Sequence, residues 1–265
     1  MLGVLVVGLA TTGASESHGP RSNECAITYV ANAGVLFESD GQKFLFDAPI
    51  REGITPYATP TAEQRRALEA ATAPFDNVTA ILITHWHEDH LSPEAVAAHL
   101  RNSPSTRLVS SQEVVDRVRK VAGPAVPAAQ FSAVTPEPGT SERAAGSGVP
   151  VHVLRIRHNP TRRLPEQHVG FVVEGCRTVL HTGDADRAAD NFSLLRSLPP
   201  IDTALLPFWY VMSDTNRRFV ASSIAPRRVL GVHLPPSEAA DMTKSLATVP
   251  NLTLLTTAGM RVGLR

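Results

Sequence analysis

Apolar positions along this chain come in short runs broken by turn residues, with longer amphipathic stretches between some of them. Residues 26–39 (AITYVANAGVLFES) and 42–48 (QKFLFDA) flank Asp40-Gly41, which reads as strand, hairpin turn, strand. Residues 61–73 (TAEQRRALEAATA) have helical composition and end at Pro74. Residues 78–84 (VTAILIT) read as a buried strand. Ser92 and Pro93 open a helix over 92–102, with serine as N-cap and proline at the first helical position. A short strand at 106–110 precedes a helix over 111–123, closed by Gly123. Residues 123–150 are rich in Pro, Gly and Ala and read as loops with short strands. Strand patterns return at 151–157, 169–175 and 177–184, followed by a helix over 188–198. A strand at 202–210 ends in aromatic residues. A helix over 216–226, a strand at 228–233, a helix over 237–249 and a strand pair within 252–264 complete the pattern, and no repeat is visible. Strands grouped in this way predict two sheets with helices outside, not one doubly wound sheet. Their weak polarity fits sheets covered on each face.

Composition adds limits. The chain has 265 residues, 43% of them hydrophobic and 19% charged, enough for a sizeable core. Its 25 basic and 25 acidic side chains cancel, so no global field draws it to nucleic acid or an anionic membrane. Residues 2–10 form an apolar run followed by small and polar residues, which reads as a signal peptide over residues 1–17. On that reading the protein is exported, to the periplasm or beyond, and residues 18–265 form one domain. An ordinary first strand, and a cytoplasmic protein, is the alternative. The run is too short to span a bilayer, and no later segment does better. The two cysteines, Cys25 and Cys176, leave a disulfide and two free thiols equally open.

The chemistry concentrates in residues 84–90, THWHEDH. Imidazole and carboxylate groups at this density suit zinc and similar metals. His85 and His87, two apart on an extended segment, can point the same way, while Asp89 and His90 lie beyond a bend and can face a second ion.

The cluster resembles the first motif of the metallo-β-lactamase-fold hydrolases, and the likeness runs over residues 26–262. The opening strands ending in Asp47, the order of His158, HVGFVVEG and HTGD, and GVHLPP at His233 are each similar to that family's later motifs. The resemblance implies a four-layer αββα sandwich of the α/β (α+β) class, with two mixed sheets face to face. It implies two divalent ions, with His85, His87 and His158 on the first, Asp89, His90 and His233 on the second, and Asp184 bridging. Zinc is the expected metal, manganese or iron the other candidates. His152 and His168 compete with His158, as a strand residue and as a polar position ahead of a strand. His181 reads as packed behind the site, Asp186 as solvated or capping, and Asp47 as orienting a ligand histidine or as a plain strand-end acid. His18 and His99 carry no signal.

Two divalent ions with Asp89, Asp184 and a bridging hydroxide keep about one positive charge, which favours an anionic transition state. Zinc lowers the pKa of water to roughly 7, supplying hydroxide at neutral pH. The expected activity is hydrolysis of an ester, lactone or phosphodiester of a small molecule, with Asp89 and Asp184 as the catalytic carboxylates. β-Lactamases of this family lack the bridging aspartate, so Asp184 argues against that activity. A one-iron persulfide oxygenase and a silent binding protein are the remaining alternatives. Arg155, Arg157, Arg162 and Arg163 surround His158 and offer a clamp for an anionic substrate. Phe208, Trp209 and Tyr210 read equally as a substrate wall or a core plug, and Trp86 as packing beneath the metal loop or edging the pocket.

Overall fold

The computed structural model describes residues 24–160 and 167–264. The signal-peptide reading, His18, Arg162 and Arg163 lie outside these residues. The first sheet begins with β1 (Cys25–Ala31), β2 (Gly34–Ser39) and β3 (Gln42–Phe46), an antiparallel meander. The first predicted strand is therefore itself a hairpin. Asn32 takes a left-handed conformation (φ 50°), and the chain reverses there before β2. The Asp40-Gly41 turn has positive φ at both residues, as the twist of a two-residue hairpin requires. Parallel strands β4 (Ala80–Leu82), β5 (Arg107–Ser110) and β6 (Phe131–Ala133) extend the sheet. The second sheet contains β7 (Ser141–Ala144), β8 (Val151–Arg155), β9 (Val169–Glu174) and β10 (Thr178–His181) in antiparallel order. Parallel strands β11 (Thr203–Pro207), β12 (Arg228–Val232) and β13 (Leu252–Leu254) follow. The last strand, β14 (Arg261–Gly263), returns to the first sheet and pairs with β1, giving seven strands in each. The predicted terminal strand pair is thus split between sheets: β12 offers an open edge to β13, and β1 offers one to β14.

Helices α1 (Ala62–Ala70), α2 (Pro93–Asn102) and α3 (Gln112–Ala122) cover the first sheet, and α4 (Asp214–Ser223) and α5 (Ala239–Ser245) the second. Thr61 and Gln64 form a reciprocal capping box on α1, Ser92 caps α2, and Gly123 (φ 59°) ends α3. The helix predicted over 188–198 is a 3-10 helix, Ala189–Ser197. Ser193 and Ser197 donate to carbonyls three residues back, and the Asn191 side chain bonds Arg157 and Asp186, so polar side chains compete with α-helical bonding. Buried apolar side chains fall into three clusters. One joins both sheets through Phe37, Phe46, Val153 and Phe171. One lies between the first sheet and its helices, and one between the second sheet and its own. Three cores between layers make four layers, helix–sheet–sheet–helix.

Cys25 and Cys176 form a disulfide that joins β1 to the turn between β9 and β10. It closes a loop of 151 residues. On the chain-entropy account a loop of that length stabilises the fold by about 5 kcal/mol. Replacing both cysteines with serine is expected to lower unfolding free energy by up to this amount in urea titrations, and an unchanged midpoint and slope would refute the account.

Candidate metal centre

The residues singled out by the sequence lie at the carboxyl ends of strands, where open α/β sheets build their sites. Asp47 follows β3, the THWHEDH loop follows β4, His158 follows β8, Asp184 follows β10 and His233 follows β12. Two groups result. His85, His87, His158 and Asp184 each offer a ligand atom, all within 4.8 Å of one another, and Asp89, His90, Asp184 and His233 do the same. Asp184 belongs to both.

The inward atoms are suited to a cation. His85 Nε2 and His87 Nδ1 face each other at 2.9 Å. Among the described residues, the Nε2 atoms of His90, His158 and His233 and Oδ1 of Asp184 are buried without a hydrogen-bond partner. They approach one another nonetheless: His90 Nε2 lies 3.2 Å from Asp184 Oδ1 and His233 Nε2 3.0 Å from Asp89 Oδ2. Burial alone would keep these imidazoles neutral, and it holds His85 well below the usual histidine range and lowers His158. Around Asp184 charge overcomes burial. Burial opposes protonation of His233, but Asp184 raises it to about 9, and His90 is driven well above its ordinary value by Asp184, Asp89 and Asp47. Burial would raise the carboxyl of Asp184, yet His233 and His90 hold it well below the normal carboxylate range.

The outer nitrogens are fixed by a second set of contacts. His90 Nδ1 donates to Asp47 Oδ2 at 2.8 Å. His85 Nδ1 donates to Thr84 Oγ1 at 2.9 Å, and that hydroxyl donates to Asp47 Oδ2 at 2.7 Å. Thr84 N donates to Asp47 Oδ1 at 2.8 Å. His158 Nδ1 donates to the Asn159 carbonyl at 2.5 Å. With Nδ1 protonated, each Nε2 lone pair is turned inward. Asn32 donates to the Asp89 carbonyl and to Asp89 Oδ2 at 3.0 and 3.1 Å, and its own carbonyl accepts from His233 N. Asn32, Asp47 and His233 take left-handed backbone conformations, and Gly183 a positive φ that glycine adopts freely. At Gly183 a side chain is also excluded by contact: a Cβ would lie 2.6 Å from Thr84 Oγ1 and 2.9 Å from His168 Nε2.

The other sequence candidates separate. His152 pairs with Glu174 on the neighbouring strand, away from the site. His168 is more than a polar lead into β9. It is buried with its ring 5.1 Å from those of His85 and His158, its Nδ1 donates to Ile156, and burial pushes it down to about 3. His181 accepts from Gly183 N and donates to Ala33, which sets the turn that presents Asp184. His99 anchors α2 to the Leu68 carbonyl. Tyr210 is core, its hydroxyl donating to Ala185, and Phe208 packs on the same cluster, whereas Trp209 reaches the site with its ring 5.1 Å from His233. Arg157 pairs with Asp190 at the surface, and Asp186 lines the same outer cavity as Arg155 and Arg157. Neither arginine lines the cavity over the two groups. Asn32 and Tyr57 were not foreseen. Asn32 sits in an apolar-flanked turn signal, AN-AG, which marks a reversal without revealing the bond to Asp89.

Asp47→Ala is expected to weaken zinc binding by about 10–100-fold, because both groups lose an orienting partner. Calorimetry in buffers of different ionisation enthalpy checks this, and in the unsubstituted protein it also reads the proton on His233. His233, raised to about 9, carries a proton at pH 7 that zinc must displace, and that release shrinks as pH rises through about 9. Unchanged affinity in the variant, or no proton release in the parent, would refute the arrangement.

Comparison with known proteins agrees with the geometry. Residues 42–256 match the family model described as beta-lactamase superfamily domain. A UPF0173 metal-dependent hydrolase of Pyrobaculum arsenaticum is 31% identical over 209 residues, 78% of this chain and 83% of its own. Two solved structures share the fold. A protein of Veillonella parvula described as a possible metal-dependent hydrolase has a TM-score of 0.67 at 14% identity, over 91% of this chain and 99% of that one. Igni18, a metallo hydrolase of Ignicoccus hospitalis, has a TM-score of 0.60 at 19% identity, over 89% and 97%. The sequence match extends across both sheets and all the residues of the two groups, and on that ground the chain belongs to the beta-lactamase superfamily, in the family of the UPF0173 metal-dependent hydrolases.

Proposed function

We propose that this protein hydrolyses an ester, lactone or phosphodiester bond of a small molecule with two divalent ions, zinc being the favoured metal. His85, His87, His158 and Asp184 would hold one ion, and Asp89, His90, His233 and Asp184 the other. The reading rests on one observation: two groups of inward-facing donors share a single carboxylate, with buried imidazole nitrogens that no protein group satisfies. When bound at such a site, divalent ions acidify water and polarise the oxygen of the bond to be cleaved. The chain's own part is positional. Asp47, Thr84 and the Asn159 carbonyl fix the imidazole tautomers, Asn32 holds Asp89, and Asp184 and Asp89 supply negative charge that offsets the cations. The carboxylate shared by the groups favours an ester, lactone or phosphodiester over a β-lactam amide as the bond hydrolysed.

Metal analysis and a screen of esters, lactones, thioesters, phosphodiesters and β-lactams test this. Zinc or manganese at two ions per chain is expected. His85→Ala and Asp184→Asn should each cost about a hundredfold or more in any activity found. Full activity in either variant would overturn the site, a single iron with oxygen consumption would point to the oxygenase, and a chain binding no metal would point to a silent protein.

We also propose that the protein is exported. The disulfide supports this, since such bonds persist in oxidising compartments. Fractionation of the producing cell should find it outside the cytoplasm, and recovery in the cytoplasm with free thiols would sink the proposal.

A further inference from the structure

The cavity above the two groups holds about 590 Å³, a volume suited to a small molecule. Beyond the ligand residues its walls are Ile54, Tyr57, Trp86, Glu88, Asn159 and Trp209. Tyr57 and Trp209 both approach His233 edge-on, with ring centres 4.1 and 5.1 Å from the imidazole. Each is held from behind. Tyr57 N donates to the Ile54 carbonyl, closing a turn, and Asn216 donates to the Trp209 carbonyl from α4. Trp86 carries the Arg117 guanidinium 4.6 Å over its ring, and Arg117 also pairs with Glu113. Three aromatic rings on separate segments therefore converge on one opening.

Among the described residues, carboxylates outnumber guanidinium groups around that opening. Apart from the ligand residues, Glu88 is the only ionisable carboxylate or cation among the described residues lining the cavity. An adjoining cavity of about 470 Å³ shares Trp86 and Glu88 and adds Glu52 and Glu94. Its arginines, Arg51 and Arg117, are engaged by Glu69 and Glu113. Glu238 is near enough to act on the Tyr57 hydroxyl. Among the described residues an anionic substrate would meet carboxylates at the mouth and no guanidinium on the cavity's own walls, whereas a flat uncharged group would bury against rings.

We propose that the substrate of the site described above is an uncharged acyl compound, an ester or lactone, whose flat apolar portion lies between Tyr57 and Trp209. This rests on the hydrolase reading and narrows it away from phosphodiesters and carboxylates. The bond broken is the acyl C–O bond. Water supplies the hydroxyl that joins the acyl carbon and the proton that the departing oxygen takes up, so no further reactant is needed.

The chain's two tryptophans, Trp86 and Trp209, both line this cavity, so intrinsic fluorescence reports its occupancy directly. The zinc-loaded full-length protein is titrated with 4-nitroanisole and with 4-nitrobenzenesulfonate, two unreactive quenchers of similar shape that differ in charge. Saturable quenching at an at least tenfold lower concentration of the neutral compound is expected. Trp209→Ala should raise that concentration at least tenfold with zinc content unchanged. In parallel, kcat/KM for 4-nitrophenyl butyrate should exceed that for bis(4-nitrophenyl) phosphate, and Trp209→Ala should lower the former mainly through KM. Preferential binding of the sulfonate, or faster cleavage of the phosphate diester, would overturn the substrate class and leave the hydrolase reading standing. Tight binding of 4-nitroanisole with no hydrolysis of either ester would overturn the hydrolase reading, and the ester or lactone assignment with it.

Discussion

The buried carboxylate of Asp47 is the constraint on which the site depends. It receives Thr84 N, the Thr84 hydroxyl and His90 Nδ1, and it lies 3.5 Å from His181 Nε2. Through Thr84 it orients His85 in one donor group, and directly it orients His90 in the other. An unpaired buried carboxylate is costly, so each contact is also required by Asp47 itself. The donor tautomers on one side of the loop and the burial of charge on the other are one arrangement. Asp47 takes positive φ (42°) at the end of β3, and its backbone N donates to Leu82, which ties the start of the metal loop to the strand beside it.

That arrangement explains how residues far apart in the sequence behave as a unit. The THWHEDH loop belongs to the first sheet, while His158, Asp184 and His233 belong to the second. Their meeting depends on the apolar core between the sheets, where Phe46 lies 6.3 Å from Phe171 and 5.3 Å from His181. The same core sets how far apart the halves of the site can stand. Contacts across the halves include Val169 N to the Thr84 carbonyl and His233 N to the Asn32 carbonyl.

Much of this was legible in the sequence, for definite reasons. Strand-end placement and the short spacing of His85, His87, Asp89 and His90 are local properties that letters carry. The order of His158, Asp184 and His233 is carried by family likeness. Contacts between segments are less visible. Asn32 looks like a turn residue because its turn is all the sequence displays; its bond to Asp89 spans 57 positions. His168 looked like a polar lead-in because its burial depends on β8, β9 and the Gly183 turn coming together. The splitting of β13 from β14 follows from which sheet edges stand open, a property of the assembled sheets. Proximity in sequence to His158 does not fix where the Arg155 and Arg157 side chains point. Arg157 turns outward to Asp190.

The Cys25–Cys176 bond lies at the end of the sheets remote from the donor groups. Cys25 begins β1, whose far end leads to Asn32, and Cys176 precedes β10, which leads to Asp184. Seven residues of extended strand separate Cys25 from Asn32, roughly 24 Å at the usual rise. Nearby, β14 pairs with β1 and Arg177 donates to the Leu264 carbonyl, so the same end is stitched by backbone as well. The two sheets therefore resemble the arms of tongs with a covalent pivot, and the jaws are the donor groups. The space between the arms is filled by the apolar core, so bond and core together frame the donor groups.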